Sequence, residues 1–378
     1  MKYYFIAGEA SGDLHGSNLI RVLKQKDPAF NGRGFGGELM QNQGMSLVKH
    51  YRNMAYMGFI PVLLHICDIK KNFQLCEQDL LKFHPDVLIL IDYPGFNLKM
   101  AKFAHKHNIR VFYYISPKIW AWKTYRIKAI KKYVDEMFTI LPFETDFYKK
   151  YDYQVHYVGN PTFDEIEEIL TNKTFKQFTD ENQLSEKPII ALLPGSRLQE
   201  IHTLLPKMIK AATHFSNYQI VIAAAPNINN EEYNLITHDY NIKMIYGKTY
   251  EVLQQSKIAF LASGTVSLEA AIIGCPQIVC YKMAGGRPFS FIARSILKIK
   301  WVSLVNLILN HESVKELLQE DFTVKNLLNE TKKILEIKKY REKILAEYKE
   351  LRNQLGKSGS AKKAAEMMIC ILNMEIKK

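Results

Sequence analysis

No stretch of this 378-residue chain approaches the roughly 18 consecutive apolar residues that a membrane-spanning helix needs, so no helical span is expected. The start, MKYYFIAGEASGD, reads as a strand rather than a signal peptide, and the cytoplasm is the expected compartment. Cysteine is sparse and unpaired in pattern. Cys67, Cys76, Cys275, Cys280 and Cys370 form no C-x-x-C, and their odd number argues against a disulfide framework. No two Asp residues lie two apart, which removes the D-x-D signature of metal-dependent sugar transfer, and His and Cys show no zinc spacing. A metal site is not expected. Repeats of 20 to 50 residues and low-complexity segments are also missing.

What is present is ordinary globular material, 47% apolar and 24% charged, long enough for two domains. The 51 Lys and Arg against 38 Asp and Glu give a net charge of +13, which favours anionic partners such as sugar phosphates, phospholipid surfaces or nucleic acid without choosing among them. Short apolar runs alternate with longer amphipathic stretches: Tyr3–Ala7, Val87–Ile91, Val111–Ile115 and Glu136–Leu141, then Ile189–Leu193, Gln219–Ala224, Lys243–Tyr246, Ile258–Ala262 and Gln277–Tyr281. Continuous runs of this kind suit parallel strands covered on both faces, which predicts an α/β chain with two doubly wound sheets. The break between them is expected near Val158-Gly159-Asn160-Pro161, and a cleft between the halves is the expected binding site.

Several strand ends carry chemistry. The first strand runs into Gly8-Glu9-Ala10-Ser11-Gly12-Asp13, with a helix expected over Leu14–Lys24; the glycines let backbone approach a ligand, and Ser11 and Asp13 supply polar atoms. An ordinary turn with Asp13 as helix cap is the alternative. Asp92 ends the run Val87–Ile91 just before Pro94 and Gly95, where a carboxylate can take a proton from an attacking hydroxyl or simply cap a turn. In the second half, Pro194-Gly195-Ser196-Arg197 follows a strand and opens a helix, as does Ser263-Gly264-Thr265 with Glu269 in the next turn. Both present amides and polar side chains suited to a diphosphate, and Glu269 suits ribose hydroxyls. A surface Arg and a capping-box helix start are the bland alternatives.

Three decoys fall away. Gly32-Arg33-Gly34-Phe35-Gly36-Gly37 matches G-x-G-x-x-G but lacks a preceding strand, and Gly247-Lys248-Thr249 and Gly356-Lys357-Ser358 lack the upstream glycine of a phosphate loop. ATP and NAD are therefore not expected, and no cofactor is. Between Tyr93 and Val134 there is no acidic residue, while Lys99, Lys118, Lys123, Arg126, Lys128, Lys131 and Lys132 interleave with Trp120, Trp122 and Tyr125. That mixture suits a bilayer interface, could equally serve nucleic acid, for which no binding module is present, and is otherwise an ordinary solvated basic face. The apolar run Met54–Cys67 and the Phe- and Arg-containing segment Arg287–Trp301 are further candidates for membrane contact, and together with the basic stretch they favour it over nucleic acid.

Along nearly its whole length the chain resembles the lipid-A-disaccharide synthase family. The resemblance rests on Ala7–Asp13 (AGEASGD), Gly36–Gly44, Ile91–Asn97 (IDYPGFN), Tyr113–Lys123 (YYISPKIWAWK), Leu141–Glu144 (LPFE), Leu192–Arg197 (LLPGSR), Leu261–Pro276 and Val302–Ile308. It implies the GT-B architecture: an acceptor-binding Rossmann-like domain over 1–161, joined by C-terminal helices from about 350–378, and a UDP-sugar-binding one over 162–349. It also implies an inverting transfer of 2,3-diacylglucosamine from UDP to 2,3-diacylglucosamine 1-phosphate, in lipid A biosynthesis, by a peripheral protein on the cytoplasmic face of the inner membrane, with room for a homodimer. The alternatives are a UDP-sugar 2-epimerase or a transferase for another lipid acceptor. The implied roles make Asp92 the general base, Arg197 and Asn306 further catalytic residues, and Gly195, Ser196, Ser263, Gly264, Thr265 and Glu269 the nucleotide contacts. Gly8, Glu9, Ser11, Gly12, Asp13, Asn97, Ser116 and Trp120 are expected to touch substrate. Asn160 stands where many members carry His, and Val305 where Pro is usual.

Overall fold

The computed structural model describes residues 1–54, 66–170, 172–282 and 300–376. The run Met54–Cys67 and the segment Arg287–Trp301 lie largely outside them. The chain divides into two units, Met1–Pro161 with Ser358–Lys378, and Thr162–Lys357.

The strands of the first unit are β1 (Lys2–Ala7), β2 (Asn31–Gly36), β3 (Ser46–His50), β4 (Val87–Ile91), β5 (Val111–Tyr114), β6 (Glu136–Thr139) and β7 (His156–Tyr157). Its helices are α1 (Ala10–Lys26), α2 (Glu38–Asn42), α3 (Ile66–Phe83), α4 (Pro94–Lys106), α5 (Ile127–Tyr133) and α6 (Pro142–Lys149). The sheet order is β3-β2-β1-β4-β5-β6-β7, all parallel. Helix α7 (Pro161–Ile169) leads into the second unit, which holds α8 (Phe175–Glu181), α9 (Leu198–Ala212), α10 (Asn230–Thr237), α11 (Thr249–Gln255), α12 (Val266–Ile273), α13 (Leu304–Leu309), α14 (Val324–Glu336) and α15 (Lys338–Leu355). Its strands β8 (Ile189–Leu193), β9 (Gln219–Ala224), β10 (Lys243–Tyr246), β11 (Ser256–Ala262), β12 (Gln277–Tyr281) and β13 (Lys315–Leu318) pair in the order β10-β9-β8-β11-β12-β13, again all parallel.

Both sheets reverse their strand order once, between β1 and β4 and between β8 and β11. In open α/β sheets ligands bind at the carboxyl ends of strands at such a switch point. The central strands are buried on both faces, as their uninterrupted apolar runs require: Val87–Ile91 and Ile189–Leu193 have almost no exposed surface.

The sequence Gly32–Gly37 turns out to be β2 itself and the turn after it. A Cβ on Gly34, whose φ is +148°, would meet the Phe5 carbonyl at 2.0 Å, so glycine is what lets these two backbones pack. The return to the first unit comes at Ser358 rather than at about 350. Helix α15 stays with the second unit because Tyr348, Leu351 and Leu355 are buried there, with Gln277 donating to the Tyr348 hydroxyl at 3.1 Å. Gly356 and Gly359, both at positive φ, then turn the chain into α16 (Ser360–Ile376), whose Ala364, Ala365, Met368 and Leu372 join Leu19, Ile20 and Leu23 of α1 in the first core.

Candidate functional site

In the first unit the switch point is occupied by Asp92. It and Tyr93 both hold left-handed backbone, with φ of 43° and 45°. Neither is glycine, so the turn stores strain and must be held from outside. It is held by its carbonyl: the Asp92 carbonyl oxygen accepts from Asn97 Nδ2 at 2.7 Å and from the Tyr113 hydroxyl at 2.5 Å, while the Asp92 amide donates to the Tyr114 carbonyl at 3.2 Å. Asn97 therefore serves the turn through its Nδ2 from a fully buried position. Gly8 has the same kind of task. A Cβ there would fall 2.3 Å from the Tyr93 ring, so its missing side chain makes room for the turn.

The Asp92 carboxyl opens onto a small cavity of about 170 Å³ lined also by Pro94, Lys118, Ile119, Trp122 and Arg126. Burial raises its pKa above the usual carboxylate range, opposed by the Lys118 charge, the Tyr93 amide and His15. A carboxylate so placed is a better proton acceptor than one in water. Lys118, Trp122 and Arg126 had carried no assigned site role in the sequence. Their signal was there in the basic, aromatic stretch that contains them, but only folding brings it to Asp92.

The expected start of α1 needs correction, and several polar residues at this end are engaged within the protein. Helix α1 begins at Ala10 rather than Leu14, so Ser11, Gly12 and Asp13 lie in its first turn, and Glu9 is its N-cap residue. Asp13 points inward and caps a different helix: its carboxylate accepts from the amides of Gly37 at 2.8 Å, Leu39 at 3.1 Å and Met40 at 3.1 Å, at the start of α2. Gly12 packs against Ala7 and Ile91. Ser116 and Trp120 are likewise committed within the protein. Both donate to Glu144 Oε1, Ser116 at 2.5 Å and Trp120 Nε1 at 3.2 Å.

In the second unit the two phosphate-type turns come together at the switch point between β8 and β11. A cavity of about 350 Å³ is lined by Gly195, Ser196 and Arg197 from one turn and Ser263, Gly264 and Thr265 from the other, with Glu269, Glu200 and Thr249 in its wall. Gly195 adopts φ of +110°, and the Arg197 side chain is 75% exposed. Glu200, in the first turn of α9, accepts from the Ser196 amide at 3.2 Å and from Arg197 Nη1 at 3.0 Å, so a carboxylate already uses the donors a phosphate would take. Its sequence signal was the Glu three residues after the helix start. Glu269 has its pKa pushed up to about 7 by burial first, with the Thr265 hydroxyl opposing and the Glu165 carboxylate adding.

Asn306 has a full set of partners. It is fully buried; its Oδ1 accepts from the amides of Ser313 at 2.8 Å and Val314 at 2.9 Å, and its Nδ2 donates to the Val314 carbonyl and to Glu316, each at 2.9 Å. Both side-chain atoms are spent on bracing the segment 302–316, whose Val302 and Ser303 amides bind the same Glu316. Asn306 thus braces this segment. Among the described residues no group of three or more His, Cys, Asp or Glu is placed to hold a metal ion.

The family model described as lipid-A-disaccharide synthetase matches residues 3–370. Relatives include the lipid-A-disaccharide synthases of Myxococcus xanthus, 36% identical over 97% of this chain and 96% of that one, and of Coxiella burnetii, 37% identical over 96% of each. Among solved structures, the chain is similar to a UDP-GlcNAc 2-epimerase from Neisseria meningitidis bound to UDP-GlcNAc (TM-score 0.68, 14% identity, 98% of this chain and 100% of that one). It is similar as well to the calicheamicin glycosyltransferase CalG4 (TM-score 0.63, 11% identity, 98% of each). At such identities the structural likeness shows the fold, two parallel-sheet α/β domains of the GT-B kind.

Proposed function

Since the chain belongs to the lipid-A-disaccharide synthetase family and is a glycosyltransferase of lipid A biosynthesis, we propose the reaction and the residues that carry it. The donor is UDP-2,3-diacylglucosamine and the acceptor 2,3-diacylglucosamine 1-phosphate. The acceptor's 6-hydroxyl gives its proton to Asp92 as its oxygen bonds to C1 of the donor sugar. The bond from C1 to the UDP oxygen breaks with inversion, and its electron pair leaves with UDP. The products are the β-1,6-linked disaccharide 1-phosphate and UDP. The single observation that carries this reading is Asp92, a mostly buried carboxylate held in a strained turn at the switch point of the first sheet, beside Lys118 and Arg126.

The second unit receives the nucleotide. Amides of Gly195 and Ser196, the Ser263–Thr265 turn and the Arg197 guanidinium face the diphosphate, and Glu269 accepts from the ribose hydroxyls. Charge developing on the leaving diphosphate is met by these donors and needs no bound metal or cofactor in this scheme. Both substrates carry acyl chains, which supports peripheral association with the cytoplasmic face of the inner membrane. Trp122 is 47% and Tyr125 69% exposed, Lys123 lies over the Trp122 ring at 4.0 Å, and Lys128, Lys131 and Lys132 follow on the same basic stretch. No described helix is long and apolar enough to cross a membrane. Flotation with anionic vesicles tests the association, and sedimentation tests whether two copies pair.

The decisive assay mixes purified protein with both acylated sugars and follows UDP and disaccharide. Asp92→Asn keeps shape and removes the base, so disaccharide formation is expected to fall by about 10²- to 10⁴-fold with the fold retained.

A further inference from the structure

Glu144 is a buried carboxylate that the reaction above does not use. It stands three residues into α6 with 1% of its surface exposed. One oxygen, Oε2, accepts from the amides of Ile140 at 3.2 Å and Leu141 at 3.0 Å, which is a helix-capping task. The other, Oε1, accepts from Ser116 Oγ and Trp120 Nε1, in a different segment. Four donors on two oxygens is a set that only an ionised carboxylate satisfies, because an amide offers one acceptor oxygen and brings two donors of its own. Capping alone would be met by glutamine without burying a charge.

What the second oxygen holds is the segment that furnishes Asp92's surroundings. It runs between two left-handed residues, Ile115 with φ of 64° and Lys123 with φ of 56°. Trp120 meets the Phe143 ring edge-on at 5.0 Å, and Ile119 is buried. Lys118, Ile119 and Trp122, from the same few residues, line the Asp92 cavity.

Resting on the reading of Asp92 as the base, we infer that Glu144 is a positioning residue for the transfer: its carboxylate pins Ser116 and Trp120 and thereby presents Lys118 and Trp122 to the Asp92 cavity. The groups facing Glu144 are neutral. They are Ser116, Trp120 and the phenols of Tyr148 and Tyr157, whose pKa values rise chiefly through burial and further through its charge. Burial pushes the pKa of Glu144 up to about 6, against the bonds from Ser116, Leu141, Trp120 and Ile140. As pH falls through that value a proton converts one acceptor oxygen into a donor, one of the four bonds is lost, and the segment loosens.

The test uses the full chain as wild type, Glu144→Gln, Trp120→Phe and the double variant. Disaccharide formation is measured from pH 5.5 to 8, and UDP-GlcNAc binding by calorimetry. At pH 7.5 Glu144→Gln is expected to lower kcat/KM for the acceptor by roughly 10- to 100-fold, the scale of a displacement near 1 Å, and to leave the UDP-GlcNAc Kd within about twofold. Its acid limb loses the component near pH 6. Trp120→Phe keeps the ring and removes the N–H; its smaller loss is not multiplied in the double variant, because both changes cut the same link. A Glu144→Gln enzyme within twofold of wild type, an unchanged acid limb, or losses that multiply overturn the inference. Should Glu144→Gln not fold, Ser116→Ala and Trp120→Phe decide: native thermal stability with wild-type kcat/KM in both overturns it, and a selective kcat/KM loss upholds it. A wild-type enzyme inactive on the acylated sugars contradicts the proposed reaction instead, whereas an active one indifferent to these changes contradicts only the role of Glu144.

Discussion

Binding of a UDP-sugar should release a proton from this protein. Glu269 sits in the wall of the second-unit cavity with its pKa raised from the ordinary 4.5 to about 7. Ribose hydroxyls donate hydrogen bonds and so need the ionised form. If that form alone binds, affinity follows the ionised fraction, about one tenth at one unit below the pKa and nine tenths at one unit above. Between pH 6 and pH 8 the affinity then rises about tenfold, or about 1.4 kcal/mol, and near pH 7 about half a proton is shed per site. Calorimetry in two buffers of different ionisation enthalpy reads this directly. UDP-GlcNAc is the better probe than UDP, because its bridged diphosphate lacks the terminal phosphate group that titrates near neutrality. Glu269→Gln should bind more weakly, with a flat pH dependence and no proton release, and Glu165→Gln should move the wild-type curve to lower pH by removing the adjacent negative charge. A wild-type affinity that does not change from pH 6 to pH 8, or an equal slope in Glu269→Gln, would refute the placement of the ribose on Glu269. The same group sets a stability trend. Folded Glu269 keeps its proton from pH 4.5 up to about 7, so its contribution to stability is lost as pH rises through that window, and bound UDP-sugar offsets the loss.

Gly8→Ala places a Cβ 2.3 Å from the Tyr93 ring; thermal denaturation should show a loss of about 1–3 kcal/mol, and kcat should fall further than stability does because the Asp92 turn is displaced. Asn306→Ala leaves the Ser313 and Val314 amides and one Glu316 bond unmatched in a buried place, so a fall in Tm equivalent to about 2–4 kcal/mol is expected, and a kcat loss with unchanged Tm would instead restore a direct catalytic part for Asn306. Glu200→Gln keeps an acceptor for the Ser196 amide while removing a charge that competes for Arg197; UDP-GlcNAc should bind roughly two- to fivefold tighter, the range of an exposed ion pair, and weaker binding would mean that Glu200 orients Arg197 rather than occupying it.

The fold was legible where burial forces a simple pattern. Strands β1, β4, β5, β8, β9 and β12 are covered on both faces and read as unbroken apolar runs. Strand β2 was hidden because its fit against Phe5 and Phe30 demands glycine, the residue that most weakens a strand signal. Edge strands β3 and β13 were missed for another reason: Ser46–His50 and Lys315–Leu318 are short and carry charge, as edges tolerate. At the site, strand-tip positions and helix starts were enough to mark where Asp92 and both phosphate-type turns fall, at the points where the two sheets reverse. Asp13 was expected to touch substrate, with capping of its own helix as the alternative; sequence spacing cannot tell which helix a buried carboxylate reaches, and its partner Gly37 at the start of α2 lies 24 residues on. The bracing work of Asn306 and Glu144 shows only when their partners are counted, since a side chain that braces a loop and one that binds a substrate carry the same atoms.

The most direct test is disaccharide formation from UDP-2,3-diacylglucosamine and 2,3-diacylglucosamine 1-phosphate by wild type and Asp92→Asn, run side by side with thermal denaturation and UDP-GlcNAc binding. The account predicts stoichiometric UDP and β-1,6-linked disaccharide from wild type, a loss of about 10²-fold or more in the variant, and matched Tm and nucleotide affinity. Equal rates in the two proteins, or no disaccharide from a folded, UDP-binding wild type, would contradict it.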